Sequence, residues 1–184
     1  MSNRKALRDL SQKFPARPEI EKILNELRDK DDLHTAIMAV SIVEATLERL
    51  IISRLRKSNK DLLNDLFQFR GPLGDFNSKI LIAEAFGIIT DPLAHELHSM
   101  RAIRNAFAHA KMPISFTDKP VKQEVESLRI LGPMRATSAP FKLQLDSKNW
   151  FLFAIRMVLI MLEQIAAMTG TADQVIEEAL RDTT

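Results

Sequence analysis

The sequence predicts an all-α fold built as one multi-helix bundle, and three observations lead there. Apolar residues recur at three- and four-residue spacing over long windows, first at Leu33, Ile37, Val40, Val43, Leu47, Leu50 and Ile51 and again at Leu93, Leu97, Met100, Ile103 and Phe107. Helix start and stop residues punctuate the chain between those windows. Alternation of the strand type is confined to Ile114, Ser115 and Phe116, which leaves room for one short β element near 113–117. A chain of 184 residues is one domain by default. We divide it into an N-terminal arm (1–17), a helical bundle (18–170) and a C-terminal tail helix (171–184).

Taken in order, the arm mixes charge with Pro15 and allows a helical piece at Ala6–Phe14. Pro18 suits the first turn of a helix running to about Asp29. Asp31 and Asp32 supply N-cap chemistry for the longest pattern, Leu33 to Lys57. Asn59 caps a short helix to about Phe69, and Gly71, Pro72 and Gly74 then break regular structure. Asn77 or Ser78 opens a helix over Lys79–Phe86 that Gly87 ends. Asp91 and Pro92 start the central helix, which Pro113 closes after His109. A further helix is expected over Lys119–Leu131, followed by an excursion at 132–147. Ser147 caps the last main helix, apolar nearly all round from Trp150 to Ile165 and therefore buried against several neighbours or a second subunit. Thr171–Arg181 has the pattern of a short amphipathic helix.

Composition excludes several function classes. With no cysteine there are no disulfides, thiolate metal sites or cysteine nucleophiles, which fits a reducing, cytoplasmic setting. The polar start has no apolar segment of the secretory kind, and Arg156, Glu163 and Gln164 interrupt the most lipid-like run, so we expect no membrane role. A formal charge of +2 does not announce a nucleic-acid binder. There is no glycine-rich phosphate loop, no G-x-S-x-G and no H-E-x-x-H. We expect no cofactor and no metal, since no second carboxylate is placed to join His95 and His98.

The chemistry-bearing residues gather on the central helix, which holds three of the four histidines. His98, Asn105 and His109 project to one side of its wheel, whereas Arg104 falls among the apolar residues and needs a carboxylate partner. Glu44, set inside the apolar stripe of the longest helix, is the expected partner, giving a structural ion pair Glu44–Arg104. A second feature is the basic run Arg49, Arg54, Arg56, Lys57 and Lys60, which with Arg101 forms the candidate nucleic-acid surface. The commoner reading of the same run is a solvated helix end matched to the macrodipole, since no aromatic residues interleave with it.

The strings FNSKILIAEAFGII and ELHSMRAIRNAFAHA give the chain a family likeness. Gly71, Pro72, Leu73, Phe76, Ile103, Arg104, Asn105, Phe107, Ala108 and His109 resemble the pattern of the mannitol operon repressor family of bacterial transcription regulators. The likeness runs from the long helix to the last one. It also places Arg104 and His109 on the R-x4-H motif of the HEPN superfamily, many of whose members are metal-independent ribonucleases acting as dimers. Where some of those carry tyrosine two residues after the histidine, this chain has Lys111.

Two functions follow. The resemblance implies a non-enzymatic regulator, a helical homodimer acting through DNA or a DNA-bound protein. The alternative is a metal-independent endoribonuclease in which His109 moves protons, Arg104 holds the phosphate and Asn105 orients the scissile group of an RNA. Five residues along a regular helix set Arg104 and His109 about 140° apart. A shared site then requires a loosened helix near Ala108 or a second subunit.

Overall fold

The computed structural model describes residues 10, 13–68, 70–132 and 146–168. Most of the expected arm, the helical piece at Ala6–Phe14 for the greater part, residues 133–145 and the tail helix at 171–184 lie outside them. The described residues form seven α-helices and no strand: α1 (Arg17–Glu26), α2 (Asp32–Ile52), α3 (Lys60–Phe67), α4 (Phe76–Ala85), α5 (Asp91–His109), α6 (Lys119–Ser127) and α7 (Ser147–Ala167). Two 3-10 turns, Leu27–Asp29 and Arg129–Leu131, follow α1 and α6.

Helix α2 is the axis of the molecule, packing against α7, α5 and α4. Small and branched residues line it, with Ala36, Ala39, Val40, Val43, Leu47 and Leu50 buried. From α5, Leu93, Leu97, Met100, Ile103 and Phe107 are buried, so the stripe read from the sequence is the core face. From α7, Phe151, Leu152, Ala154, Ile155, Val158, Leu159 and Leu162 are buried. Helix α7 is long and apolar enough to cross a membrane by length and composition. Here it lies against α2, and its Arg156 donates to Glu21 at 3.2 Å and to Asn25 at 2.9 Å on α1.

Several boundaries differ from expectation for identifiable reasons. The long helix stops at Ile52, not Lys57, and Leu33 is 48% exposed at its start, outside the core. Helix α4 begins three residues early because Asp75 is the N-cap, accepting from the backbone N–H of Ser78 at 3.0 Å and from its hydroxyl at 2.7 Å. Asp146, not Ser147, caps α7, and Thr90 precedes Asp91 as the N-cap of α5 without a side-chain bond. The short β element at 113–117 is absent. Ser115–Asp118 closes a turn instead, with the N–H of Asp118 donating to the Ser115 carbonyl at 3.0 Å and the N–H of Ser115 to the Asp118 carboxylate at 2.8 Å. That turn drives Phe116 into the core between Phe107 and Phe151, at ring separations of 5.0 and 5.1 Å.

Two glycines shape the turns after helices differently. Gly87 has φ of 64°, the left-handed conformation that closes α4. At Gly71 a Cβ would sit 2.4 Å from the carbonyl oxygens of Asp65 and Leu66, both backbone atoms. Gly71→Ala is therefore expected to cost about 2 kcal/mol, because the backbone has to move. Gly87→Ala, in open space, carries backbone strain alone and costs about 1 kcal/mol. Urea unfolding of both variants measures the difference, and an unchanged midpoint for Gly71→Ala would contradict the tight turn.

Candidate functional site

The polar centre of the molecule lies in the seam between α2, α4 and α5. Arg104 Nη2 donates to Glu44 Oε2 at 3.0 Å. Lys79 Nζ donates to Glu44 Oε1 at 2.8 Å and pairs with Glu48 Oε2, also at 2.8 Å. Arg104 Nη1 donates to Asn105 Oδ1 at 3.1 Å, while its Nε is buried without a hydrogen-bond partner. Two carboxylates one turn apart on α2 thus face two cations from two other helices. The balance matters because the Lys79 side chain is 5% exposed, and an unpaired charge there is prohibitively costly. Burial works to lower the Lys79 pKa, but its bonds to Glu44 and Glu48 outweigh that and hold it above the ordinary value of 10.5. The ion pairs are at full strength at neutral pH and weaken as pH rises through that higher value.

Lys79 has no counterpart among the residues singled out from the sequence. Its signal is there once α4 starts at Phe76: Lys79 then lies one turn after Phe76 and one turn before Ala83, on the face that also buries Ile80. Glu96 is the second unanticipated residue, 4% exposed, its Oε1 accepting from the backbone N–H of Arg129 at 3.0 Å. It fastens the 3-10 turn after α6 to α5.

Of the three motif residues, the structure joins Arg104 to Asn105. Helix α5 is unbroken to His109, which is exposed, while Asn105 is half-buried and Arg104 is tied to Glu44. Half-buried His98 has its pKa lowered by burial first and by the neighbouring Arg101 cation second, with Glu84 acting in the opposite sense. Among the described residues, no group of three or more His, Asp or Glu side chains gathers as a metal site.

The basic run is dispersed by the early end of α2. Arg49 alone lies in its last turn, its guanidinium 4.5 Å from the ring centroid of Phe14. Arg54 reaches across to the Ile165 carbonyl of α7 at 3.3 Å. Arg56 and Lys57 are exposed on the connection to α3, and Lys60 opens α3 with Asn59 as its N-cap. The dipole-matched helix end is thereby corrected, since a lysine at a helix N-terminus opposes the macrodipole. Arg101 stands on α5 beside His98, away from that connection in sequence and with a buried, unpartnered Nε.

The described helices pack around α2, and the arginine of the R-x4-H motif is bonded to Glu44 in the seam they form. The chain belongs to the mannitol repressor family, whose model matches residues 19–178. Among solved structures it is similar to the X-ray structure of the MtlR–HPr complex from Escherichia coli, with a TM-score of 0.62 and 17% identity over 78% of this chain and 97% of that one. At that identity the likeness is one of fold. No curated protein matches the sequence.

Two measurements test the site. Lys79→Met keeps the apolar stem but strands Glu48 and half of Glu44, so it should lose about 3 kcal/mol, the low end for a broken buried pair because Glu48 is partly solvated. Glu48→Gln should cost under about 1 kcal/mol. Denaturation near neutral pH reads both, and equal losses would refute the graded network. For His98, the depressed pKa means the unfolded chain takes up a proton first as pH falls, so stability should decline below the ordinary value of 6.5. His98→Gln should flatten that decline, and a profile unchanged by the substitution would contradict it.

Proposed function

We propose that this protein is a cytoplasmic bacterial transcriptional regulator of the mannitol-repressor type. It works as a homodimer, through a protein partner more than through direct reading of a DNA groove. The family supports the regulatory role. The Escherichia coli neighbour, in complex with HPr, supports a protein partner of that kind. The formal charge of +2 gives little electrostatic affinity for duplex DNA. The observation that carries the reading is the bond between Arg104 and Glu44, which removes the one motif cation a phosphate would need.

A ribonuclease would have to free Arg104 from Glu44 and then bring it either to a histidine about 140° around the same continuous helix or to the His109 of a second subunit. Nothing in the geometry favours that. The motif is accordingly structural at Arg104 and solvent-facing at His109.

Deleting the gene should raise expression from a mannitol-operon reporter, and returning either the wild type or His109→Ala should restore repression. A reporter indifferent to the protein overturns the regulatory reading. Purified protein should leave single-stranded RNA intact in EDTA; cleavage that disappears in His109→Ala would instead establish the nuclease.

A further inference from the structure

Arg101 is a charge that the fold leaves unanswered. Its side chain is half-buried on α5, its Nε is enclosed without a hydrogen-bond partner, and among the described residues no carboxylate pairs with it. Taking a cation partly out of water without a counter-ion is unfavourable. Glu84 on α4 stands in the opposite position, half-buried and also without an ion pair among the described residues. Each is what the other lacks, yet within one chain they do not join.

The two charges share a neighbourhood. Both act on His98, Arg101 lowering its pKa and Glu84 raising it. On α5, His98 and Ala102 project outward with Arg101 at their edge, and on α4, Leu81, Glu84 and Ala85 project to one side. The two helices pack together, so these sides form one outward face. On it Leu81 is 50% exposed, an apolar anchor, while Ala85 and Ala102 are exposed and short. Such a face is complementary to itself under a two-fold rotation, in which each cation meets the acid of the other copy and each acid the cation. A nucleic-acid backbone would answer Arg101 alone and be repelled by Glu84. A second copy answers both charges, twice over.

We infer that the outward face of α4 and α5 is where two copies of this chain meet, with Arg101 bonded to the partner's Glu84 and Glu84 bonded to the partner's Arg101. The inference rests on the homodimer reading above and names its face. The contact is centred on the middle of α5, whereas His109 is the last residue of that helix, eleven positions or about 16 Å beyond His98. The pairing therefore requires no change in His109 or in the bond between Arg104 and Glu44.

Sedimentation of the full-length protein tests it. The wild type should sediment as a dimer at micromolar concentration. Arg101→Glu and Glu84→Arg each set like charges against one another twice across the two-fold axis, and each should raise the dimer dissociation constant at least about tenfold. Mixing the two purified variants restores both opposite-charge contacts. The mixture should dimerise with about the wild-type affinity, a recovery that misfolded chains cannot give. Single variants as dimeric as the wild type, or a mixture that stays monomeric, overturn the assignment of this face. A monomeric wild type overturns the homodimer reading itself and this inference with it, so the two failures are told apart.

Discussion

Glu44 sets the terms for the rest of the fold. A carboxylate in the middle of the apolar face of α2 must be neutralised and hydrogen-bonded on both oxygens, or helix α2 cannot be buried where it is. One oxygen takes Lys79 from α4 and the other takes Arg104 from α5. The same acid therefore holds two helices at once, and Glu48, one turn on, completes the neutralisation of Lys79. Apolar contacts along α2 tolerate small slides of its neighbours. The ion pairs do not, because a shift of one turn leaves a buried charge alone. Register is thus an electrostatic property here, while most of the burial energy comes from the alanine, valine and leucine residues around it.

What was legible in the sequence follows from how strongly each signal is periodic. The core faces of α2 and α5 can be read because their stripes persist over about four turns or more. The need of Arg104 for an acid was legible for the same reason, since a guanidinium in an apolar stripe breaks a pattern that is otherwise clear. Lys79 is not legible, because the ten residues of α4 give too short a window and the sequence pattern leaves its first turn in the preceding loop. The start of that helix depends on Asp75 bonding Ser78, a contact that Asn77 and Ser78 imitate in sequence. The strand allowed at 113–117 failed because Asp118 offers Ser115 a local partner, and turn chemistry outweighed a three-residue alternation.

Helix ends were the weakest point, with consequences for function. A helix running to Lys57 would bring Arg49, Arg54, Arg56 and Lys57, with Lys60 beyond, to one dipole-matched end. Ending it at Ile52 gives the cations separate duties. Arg49 lies over Phe14 and Arg54 holds the end of α7, whereas Arg56, Lys57 and Lys60 face outward. A cluster that is uniform in sequence is thus divided in space into residues that maintain the fold and residues free to meet something else.

The same division decides what the R-x4-H motif means in this chain. For Arg104 to bind a phosphate it must leave Glu44, and the acid would then share Lys79 with Glu48 in a seam closed to water on most sides. An incoming anion gains one charge-assisted bond while the fold loses another and keeps two acids on one amine, so the exchange runs uphill. Asn105 adds to the bias by accepting from the other end of the guanidinium. His109, outside this network and exposed, can change without disturbing it. The arginine is half-buried in an ion pair and the histidine is exposed, so a function that needs both at one point of a single chain has to break the pair first.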